Sequence, residues 1–303
     1  MNVMLIKTFL SVIYNQSITK AANELFLSQS TVSSRLQQLE NELGFKLIER
    51  KKGIRNIELT ARGRAFLPVA QRYQQLDREI ASFQSSEFSY ALTIACPDSL
   101  NIHLFRPLYL EMINATPHIN LTVHTQQSPE IYSMLDRYEA DVGFVFHQSR
   151  YRNMVTELVA KEKMVLLVSS KGKWPDKPIH PSQLDKRYEL YMRWSEELVL
   201  WHDFWWGLGI PPYAEVDTAS LLAGFLDDPR CWALCPVSVA RNLMNNENVA
   251  VRLCSEDIPD RASYMLTRSD RIDTEEIRMF RERFFPFIQE QDLSTWSSSR
   301  ILR

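Results

Sequence analysis

The segment SITKAANELFLSQSTVSSRLQQLENELG, residues 17–44, decides which fold to expect. Its apolar residues recur at helical spacing in two runs, which are separated by a short turn at Phe26-Leu27-Ser28. The second run begins at Ser28 or Gln29 and stops at Gly44, a residue suited to the left-handed end of a helix. The positions expected to be buried are Ala21, Ala22, Leu25, Val32, Leu36, Leu39 and Leu43. The pattern predicts a helix-turn-helix over about Ile18 to Gln37.

The outward side of the second predicted helix is polar and almost uncharged. It carries Gln29, Ser30, Ser33, Ser34, Gln37 and Gln38. Such a side suits hydrogen bonding to base edges in the major groove of DNA; a neutral solvated face is the alternative interpretation. Gln29 is the best base reader, because its amide donates and accepts at once as the edge of adenine requires, and the Thr31 methyl group can contact thymine. We therefore predict binding to double-stranded DNA.

Other side chains of this segment suit the DNA backbone. Contacts to phosphate, which position a protein without reading sequence, are predicted for Ser17, Thr19, Lys20 and Arg35. Thr19 is also expected to cap the first of the two helices, and capping is its only role in the alternative interpretation.

Elements on both sides complete a small domain. Residues 4–14 predict a preceding helix, and two short alternating stretches after Gly44 predict a hairpin wing with a basic turn. The wing cations expected at DNA are Arg50, Lys52 and Arg55. The two arginines can enter a narrow, A/T-rich minor groove, where negative potential is concentrated. Alternatively, Arg50 pairs with Glu24 or Glu49.

A long helix is predicted from Thr60 to about Gln84. Its apolar stripe consists of Phe66, Ala70, Tyr73, Leu76, Ile80 and Phe83. Alone in water this stripe would be poorly buried, so a partner helix from a second copy is expected. The stripe predicts a homodimer.

The charge of the chain is divided unevenly. The 303 residues carry a net charge of −2, but residues 1–88 hold 12 Lys+Arg against 8 Asp+Glu (+4) and the remainder holds 23 against 29 (−6). A basic end indicates an anionic partner. The length predicts two or three domains. No apolar run reaches the ~18 residues of a membrane span, so the expected location is the cytoplasm.

Beyond a hinge at 85–89, strand-like and helix-like stretches alternate, which predicts an α/β fold with an open, mostly parallel sheet. We expect two lobes. The first covers about 89–163 and 267–291, and the second about 164–266.

A family pattern lies between Phe9 and Gly63. It consists of Phe9, Ser17 to Ala22, Leu25, Ser28 to Ser33, Leu39, Glu40, Leu43, Gly44, Leu47, Arg50, Leu59, Thr60 and Gly63. In this spacing the residues resemble the amino-terminal domain of LysR-type transcriptional regulators of bacteria. The resemblance implies a mainly α winged helix-turn-helix domain at 1–60, a linker helix for dimerisation with a hinge at 61–88, and an effector-binding domain at 89–303 made of two α/β lobes of periplasmic-binding-protein type.

The resemblance also implies how such a chain works. It implies a homotetramer of two dimers that bends a dyad operator, a small-molecule effector between the lobes, RNA polymerase as a further partner, and a place on the nucleoid. Two positions and one segment depart from the family. Ser30 stands where proline is common and Ile48 where phenylalanine is common, and the segment Asp227 to Trp232 replaces a glycine-containing turn.

An effector site is expected beyond the carboxyl ends of the strands. In similar regulators the turns after the first two strands contact the effector, which carries Ser99 and Ser128 over as candidates, with Arg193, Trp194 and Thr218 from the second lobe. Ser99 and Ser128 are helix N-caps in the alternative interpretation. Asp98 opposes an anionic ligand, so a neutral or cationic effector, or none, stays open.

The sequence bears on two rival functions, an enzyme and a DNA-binding protein without an effector. The chain has no GxSxG, P-loop, GxGxxG or HExxH motif and no ligand-spaced histidines, so no catalytic residue, cofactor or metal is predicted. The second rival keeps the DNA-binding domain but makes the rest an interaction module without a ligand. Cys231 and Cys235 are either a redox pair or small apolar side chains beside a buried strand.

Overall fold

The computed structural model describes residues 2–49, 57–83, 90–114, 119–207 and 209–296. It divides into two compact units, one built from Met1–Ala91 with Asp136–Glu139 and the other from Leu92–Leu135 with Ala140–Arg303. No helix within these described ranges is long and apolar enough to cross a bilayer.

The amino-terminal unit is a helical bundle with a hairpin. Its elements are α1 Val3–Asn15, α2 Ile18–Glu24, α3 Gln29–Leu43, β1 Ile48–Glu49, β2 Glu58–Leu59 and α4 Ala61–Phe83. The strands pair antiparallel, with Ile48 opposite Leu59. This arrangement confirms the winged helix-turn-helix; the tip of the wing, with Arg50, Lys52 and Arg55, lies outside the described residues.

Local caps fix where the two central helices begin and end. Ser28 caps α3, because its hydroxyl accepts a hydrogen bond from the Thr31 amide at 3.1 Å, and Gly44 ends the helix with φ of 74°. The expectation for Thr19 was wrong. Ser17 is the cap of α2: its backbone is extended and its hydroxyl accepts from the Lys20 amide at 3.3 Å, which leaves Thr19 inside the helix and exposed.

The core of this unit joins α1, α3 and the start of α4. Phe9 of α1 meets Phe66 of α4 at 5.6 Å between ring centroids. Ala21, Ala22, Val32, Leu36 and Leu39 are buried in the same cluster as predicted, whereas Leu25 and Leu43 are half-buried. The predicted stripe of α4 is therefore divided: Phe66 and Ala70 are buried, while Leu76 and Ile80 are 54% and 61% exposed.

A buried carboxylate joins α3 to the wing. One oxygen of Glu40 accepts from the amides of Leu47 and Ile48, at 2.9 and 3.3 Å, and the other lies 2.7 Å from the Lys46 ammonium. Burial alone would favour the neutral acid, but the hydrogen bond from Lys46 and those from the two amides outweigh it and lower the pKa of Glu40. The charged side chain thus positions the first wing strand against α3.

Hydrogen bonds and a close backbone approach join the start of α4 to the residues just before β1. The Thr60 hydroxyl donates to the Lys46 carbonyl at 2.7 Å and accepts from the Gly63 amide at 2.8 Å. A side chain at position 63 would place its Cβ 2.0 Å from the Leu47 carbonyl oxygen, so only glycine permits this approach.

The second unit contains two sheets and two lobes. The first lobe has β3 Tyr90–Cys96, α5 Asp98–Leu100, a π-helical turn Asn101–Phe105, α6 Arg106–Ile113, β4 Ile119–Thr125, α7 Ser128–Asp136, β5 Val142–Val145, β6 Met154–Glu162, β12 Arg261–Arg268 and α11 Glu275–Glu290. Its five strands run in the order β4-β3-β5-β12-β6.

The second lobe lies between β6 and β12 in the sequence. It has β7 Met164–Ser169, 3₁₀ turns at Pro181–Gln183 and Lys186–Tyr188, β8 Leu190–Tyr191, α8 Glu196–Trp206, β9 Ala214–Glu215, α9 Ser220–Phe225, β10 Trp232–Pro236, α10 Val237–Leu243 and β11 Val249–Arg252. Its main sheet has the order β10-β7-β11, and β8 pairs with β9.

The expectation of a mostly parallel sheet was wrong for much of this unit. β3 and β5 are parallel, but β12 is antiparallel to both β5 and β6, and β7 is antiparallel to both of its neighbours. The chain passes between lobes twice, at Lys163 and just before Arg261. Since β12 pairs with the first-lobe sheet from Arg261 onward, the return to that lobe comes earlier than the expected position 267.

We expect Glu40→Gln to weaken the amino-terminal unit, because it removes a buried charge that three donors satisfy; hydrogen bonds to charged groups contribute about 1.5–3 kcal/mol. Protection of the Leu47 and Ile48 amides against hydrogen exchange should fall by the corresponding factor. The exposed neighbour variant Glu49→Gln is the control.

This loss should also depend on pH. Because folding lowers the pKa of Glu40, its contribution is full above the pKa of an unfolded glutamate and disappears as pH falls through the lower folded-state value. Wild type and Glu40→Gln should therefore converge in strongly acidic buffer, and an equal difference at all pH values would contradict the assignment.

Candidate functional site

Gln29, which the sequence predicts to be a base reader, lies at the start of α3. Gln29 is exposed and its amide has no hydrogen-bond partner among the residues that the structure describes. The hydroxyls of Ser30 and Thr31 each lie 2.8 Å from the Ser28 hydroxyl, so these two are oriented by the cap. Ser34 is exposed and Ser33 half-buried. The outward side of α3 is therefore preorganised and uncharged, as the sequence predicted.

Unpaired cations flank this side. Lys20 on α2 is exposed and Arg35 on α3 half-buried, and within the described ranges neither forms an ion pair. Ser17 is half-buried as a cap. The proposed partner of Arg50, Glu24, accepts hydrogen bonds from Ser11 and Asn15 of α1. Because Lys20 and Arg35 form no ion pair within the described ranges, both side chains are available to contact phosphate groups.

Sequence reasoning missed Phe26 in the turn between α2 and α3. Its side chain is 95% exposed and its φ is 54°, a conformation that is uncommon for a bulky residue. A large apolar residue between two helical runs was the available signal. Phe26 gives the turn that precedes α3 an exposed apolar surface.

The second unit contains a cleft between its two lobes. Two adjoining cavities, of about 800 and 690 Å³, share the lining residues Gln127, Phe146, Arg193 and Trp194. Ser128 lines the larger cavity and Ser99 the smaller, so four of the five predicted effector residues surround one space. Thr218 lines neither cavity, and its hydroxyl donates to Asp217 at 3.3 Å.

A buried ion pair lies behind the residues that line this cleft. The Arg261 guanidinium donates to Glu162 at 2.6 Å and to the Ser99 hydroxyl at 2.8 Å, and all three residues are buried. Ser99 is therefore not an N-cap; Pro97 occupies that position. The guanidinium also lies 4.4 Å from the Phe146 ring centroid and 5.2 Å from that of Trp194.

The pair connects the two lobes. Glu162 and Arg261 are cross-strand partners at the ends of β6 and β12 that adjoin the second lobe. The other oxygen of Glu162 accepts from the Ser238 amide of α10 at 3.4 Å. Trp194, from the second lobe, is held by a 2.7 Å hydrogen bond to the Leu234 carbonyl. Residues from both lobes thus fix one arginine.

Two tryptophans of α8, Trp201 and Trp206, pack on the second-lobe core. Trp201 and Trp206 lie 5.7 Å apart and Trp206 lies 5.0 Å from Trp232, by ring centroids. Trp201, Trp205 and Trp206 line neither cleft cavity. This agrees with a helix-core role rather than an aromatic effector pocket.

The cysteines are thiols in apolar surroundings. Cys231 and Cys235 are buried and free, and burial raises the pKa of Cys231 to about 11 and that of Cys235 well above its usual value. Because the thiolate is the reactive form, these environments suppress oxidation chemistry. The positions fit small apolar side chains beside β10.

Family comparisons agree with both units. The model described as "Bacterial regulatory helix-turn-helix protein, lysR family" matches residues 4–64, and that described as "LysR substrate binding domain" matches residues 85–285. The chain belongs to the LysR family. This LysR-family chain accordingly combines a helix-turn-helix domain with the family's substrate-binding domain.

Among curated relatives, the regulator CitR of Bacillus subtilis is 30% identical over 205 residues, which cover 65% of this LysR-family chain and 67% of CitR. An uncharacterised regulator of the same organism, YxjO, is 29% identical over 47% of this chain, and the match spans only 50% of its own length.

Solved structures share the fold. A full-length OxyR variant from Pseudomonas aeruginosa has a TM-score of 0.64 at 17% identity, covering 97% of this chain and 96% of its own. Full-length CbnR in complex with its target DNA has a TM-score of 0.53 at 23% identity, covering 95% and 100%.

Breaking the Glu162–Arg261 pair should destabilise the second unit strongly. Glu162→Gln or Arg261→Met alone leaves one buried charge uncompensated, which costs about 3–5 kcal/mol, whereas Glu162→Leu with Arg261→Met together should recover most of the loss. Urea unfolding followed by tryptophan fluorescence measures both. The exposed Asp227→Asn, which loses only a surface pair with Lys171, is the control; single variants as mild as this control would contradict the assignment.

Proposed function

We propose that this LysR-family chain is a sequence-specific transcription regulator that binds a dyad operator as a dimer or tetramer and responds to a small molecule in the interlobe cleft. The observation that carries the proposal is the exposed, polar and uncharged outward side of α3, with Gln29 at its start. Gln29 is free there, on a helix whose start is fixed by Ser28 and whose flank is tied to the wing by Glu40.

In the proposed complex, different side chains contact the base edges and the phosphates of DNA. Gln29, with Ser30, Thr31, Ser33 and Ser34, contacts base edges, and Ser17, Thr19, Lys20 and Arg35 contact phosphates together with the wing cations Arg50, Lys52 and Arg55. Because the outward side of α3 is uncharged, affinity comes mainly from the flanking cations and from doubling of the domain. Two copies require two half-sites spaced by about one helical turn of DNA or its multiples.

Doubling of the domain is supported by α4. Val69, Leu76 and Ile80 are exposed, and their spacing of seven and four residues places them along one side of the helix. A stripe of this spacing suits packing against a second copy of α4. A tetramer of two such dimers is the larger assembly that we propose.

The effector role is supported by the cleft. Cavities of about 690 and 800 Å³ fall in the size range of small-molecule sites, and Ser99, Ser128, Arg193 and Trp194 line them. Asp227, Asp228, Pro229 and Arg230 line neither cavity, so the altered turn does not favour the rival of an interaction module without a ligand. We propose no catalytic role, and RNA polymerase as a further partner.

Chromosomal DNA as the target implies action in the cytoplasm, on the nucleoid. This location is part of the proposal and follows from the proposed partner.

We expect Gln29→Ala to relax sequence preference, with a loss of about 1–3 kcal/mol in discrimination against a wrong base at one operator position. Competition binding with single-base operator variants measures this. Asn41→Ala is the matched control, since Asn41 is an exposed amide residue near the other end of α3 and is not part of the outward side described above. Equal preference profiles for wild type and Gln29→Ala would overturn the base-reading role.

Lys20→Ala should instead weaken binding uniformly across sequences. Loss of one phosphate contact per subunit reduces the slope of log affinity against log salt by about 1 per contact. Fluorescence anisotropy at several salt concentrations tests this, and a changed sequence preference with an unchanged slope would contradict it.

Leu76→Glu should convert the native oligomer to monomers, because it places charges in an otherwise apolar helix pair. Light scattering after size exclusion measures the mass. Arg72→Glu, on an exposed position of the same helix, should leave the mass unchanged, and a monomeric wild type would refute the proposed stripe.

A further inference from the structure

The chemistry of the cleft indicates the charge of its ligand. We propose that the effector is a small organic cation, carrying an ammonium or guanidinium group, which binds in the Ser99 side of the cleft with its charge against Asp98 and Asp217. This inference rests on the proposed effector function and specifies its ligand class.

The charged residues lining this cavity are mostly acidic. They are Asp98, Glu215 and Asp217 against one cation, Arg193, and the Arg193 guanidinium is already bonded to Glu196 at 2.6 Å. Across the ranges that the structure describes, none of the three carboxylates forms an ion pair. An incoming cation therefore meets uncompensated negative charge.

Asp98 supplies an independent observation. One of its carboxylate oxygens is shielded from solvent and has no hydrogen-bond partner among the described residues. A buried polar atom in this state is costly, and a carboxylate is more costly than a neutral group. Asp98 as a whole is half-buried, so a cation bound beside it compensates the charge of the carboxylate, whereas an anionic ligand would add to that charge.

The buried Arg261 behind the cavity lining does not create an anion site. Arg261 is fully buried, is neutralised by Glu162 at 2.6 Å, and uses the Ser99 hydroxyl as a further acceptor. The Ser99 hydroxyl, which the sequence offered as an effector contact, thus already accepts a hydrogen bond from the protein. The local charge balance beside Ser99 remains negative because of Asp98.

Aromatic rings complete the cavity. Phe146, Trp194 and Phe225 are among the lining residues, and the face of an aromatic ring attracts a cation. The Arg261 guanidinium already lies over the rings of Phe146 and Trp194, so Phe225 is the lining ring that, among the described residues, has no cation of the protein over it. Carboxylates together with ring faces are the combination that recognises an organic cation. The excess of 29 acidic over 23 basic residues beyond position 88 attracts such a ligand from a distance.

The test compares ligands that differ in charge and little else. The melting temperature of the full-length protein is measured with benzylamine, benzyl alcohol and benzoate, and with butane-1,4-diamine and succinate, each at millimolar concentration. Any ligand that binds the folded protein raises this temperature by mass action. We expect a rise of at least 2 °C with an amine and none with its neutral or acidic analogue.

Variants locate the site. Asp98→Asn and Asp217→Asn should each weaken amine binding at least about tenfold, one hydrogen-bonded charge being the difference. Asp257→Asn, an exposed second-lobe position that lines neither cavity, should not. Equal binding by all three variants overturns the site, and binding of benzyl alcohol as tight as benzylamine overturns charge recognition.

The same measurements distinguish a wrong ligand class from a wrong effector role. If benzoate or succinate stabilises the protein and changes operator binding while the amines do neither, the ligand class is wrong and the effector role stands. If no compound of either class changes the melting temperature or operator binding, both the inference and the sensing role are overturned.

Discussion

Two buried side chains of opposite charge hold the second unit, here called the regulatory unit, in register. Glu162 and Arg261 lie opposite each other where β6 and β12 meet the second lobe, and both are shielded from water. Burying either charge alone would be prohibitive, so each strand requires the other to be in place. The arginine then organises Ser99 from one lobe and the rings of Phe146 and Trp194 from both. The pair thus ties together residues from both lobes beside the cleft.

The same physical logic operates in the DNA-binding unit. Glu40 is a buried acid whose oxygens are satisfied by Lys46 and two wing amides, so that α3 and β1 cannot separate without exposing an unpaired charge or orphaned donors. Ser28 and Gly44 define the ends of α3. A helix with fixed ends and a nearly neutral outward side suits the proposed contacts to base edges, and in the same proposal the flanking cations supply an attraction to phosphate that is sensitive to salt.

Local signals made the amino-terminal unit predictable. Gly44 and Ser28 mark helix ends through their own backbone preferences, and the spacing of Val32, Leu36 and Leu39 identifies the buried side. Where two neighbouring hydroxyl residues compete for a cap, the sequence does not decide between them, and Ser17 rather than Thr19 took that place. The burial of Glu40 was not foreseen, because its partners lie six to eight residues further on, in the wing.

The regulatory unit depended on longer-range pairing, and more of it was missed. Glu162 and Arg261 are 99 residues apart, so no local pattern connects them. For the same reason the hydrogen bond from Arg261 to Ser99 was not foreseen, since Ser99 was expected to contact the effector or, alternatively, to cap a helix. The strand β12 was also expected to join its sheet later than it does. The strand β6 was overlooked and the antiparallel pairing of β12 was misjudged, since alternation of strands and helices indicates a layer and not the direction of each strand.

The central claim, that this LysR-family chain reads specific DNA through α3, is tested most directly by genome-wide mapping of its bound sites in the living cell. The account predicts a limited set of sites that share a dyad motif with half-sites about one helical turn or a multiple apart. Binding spread over the chromosome without a shared motif, or no binding to DNA, would contradict it.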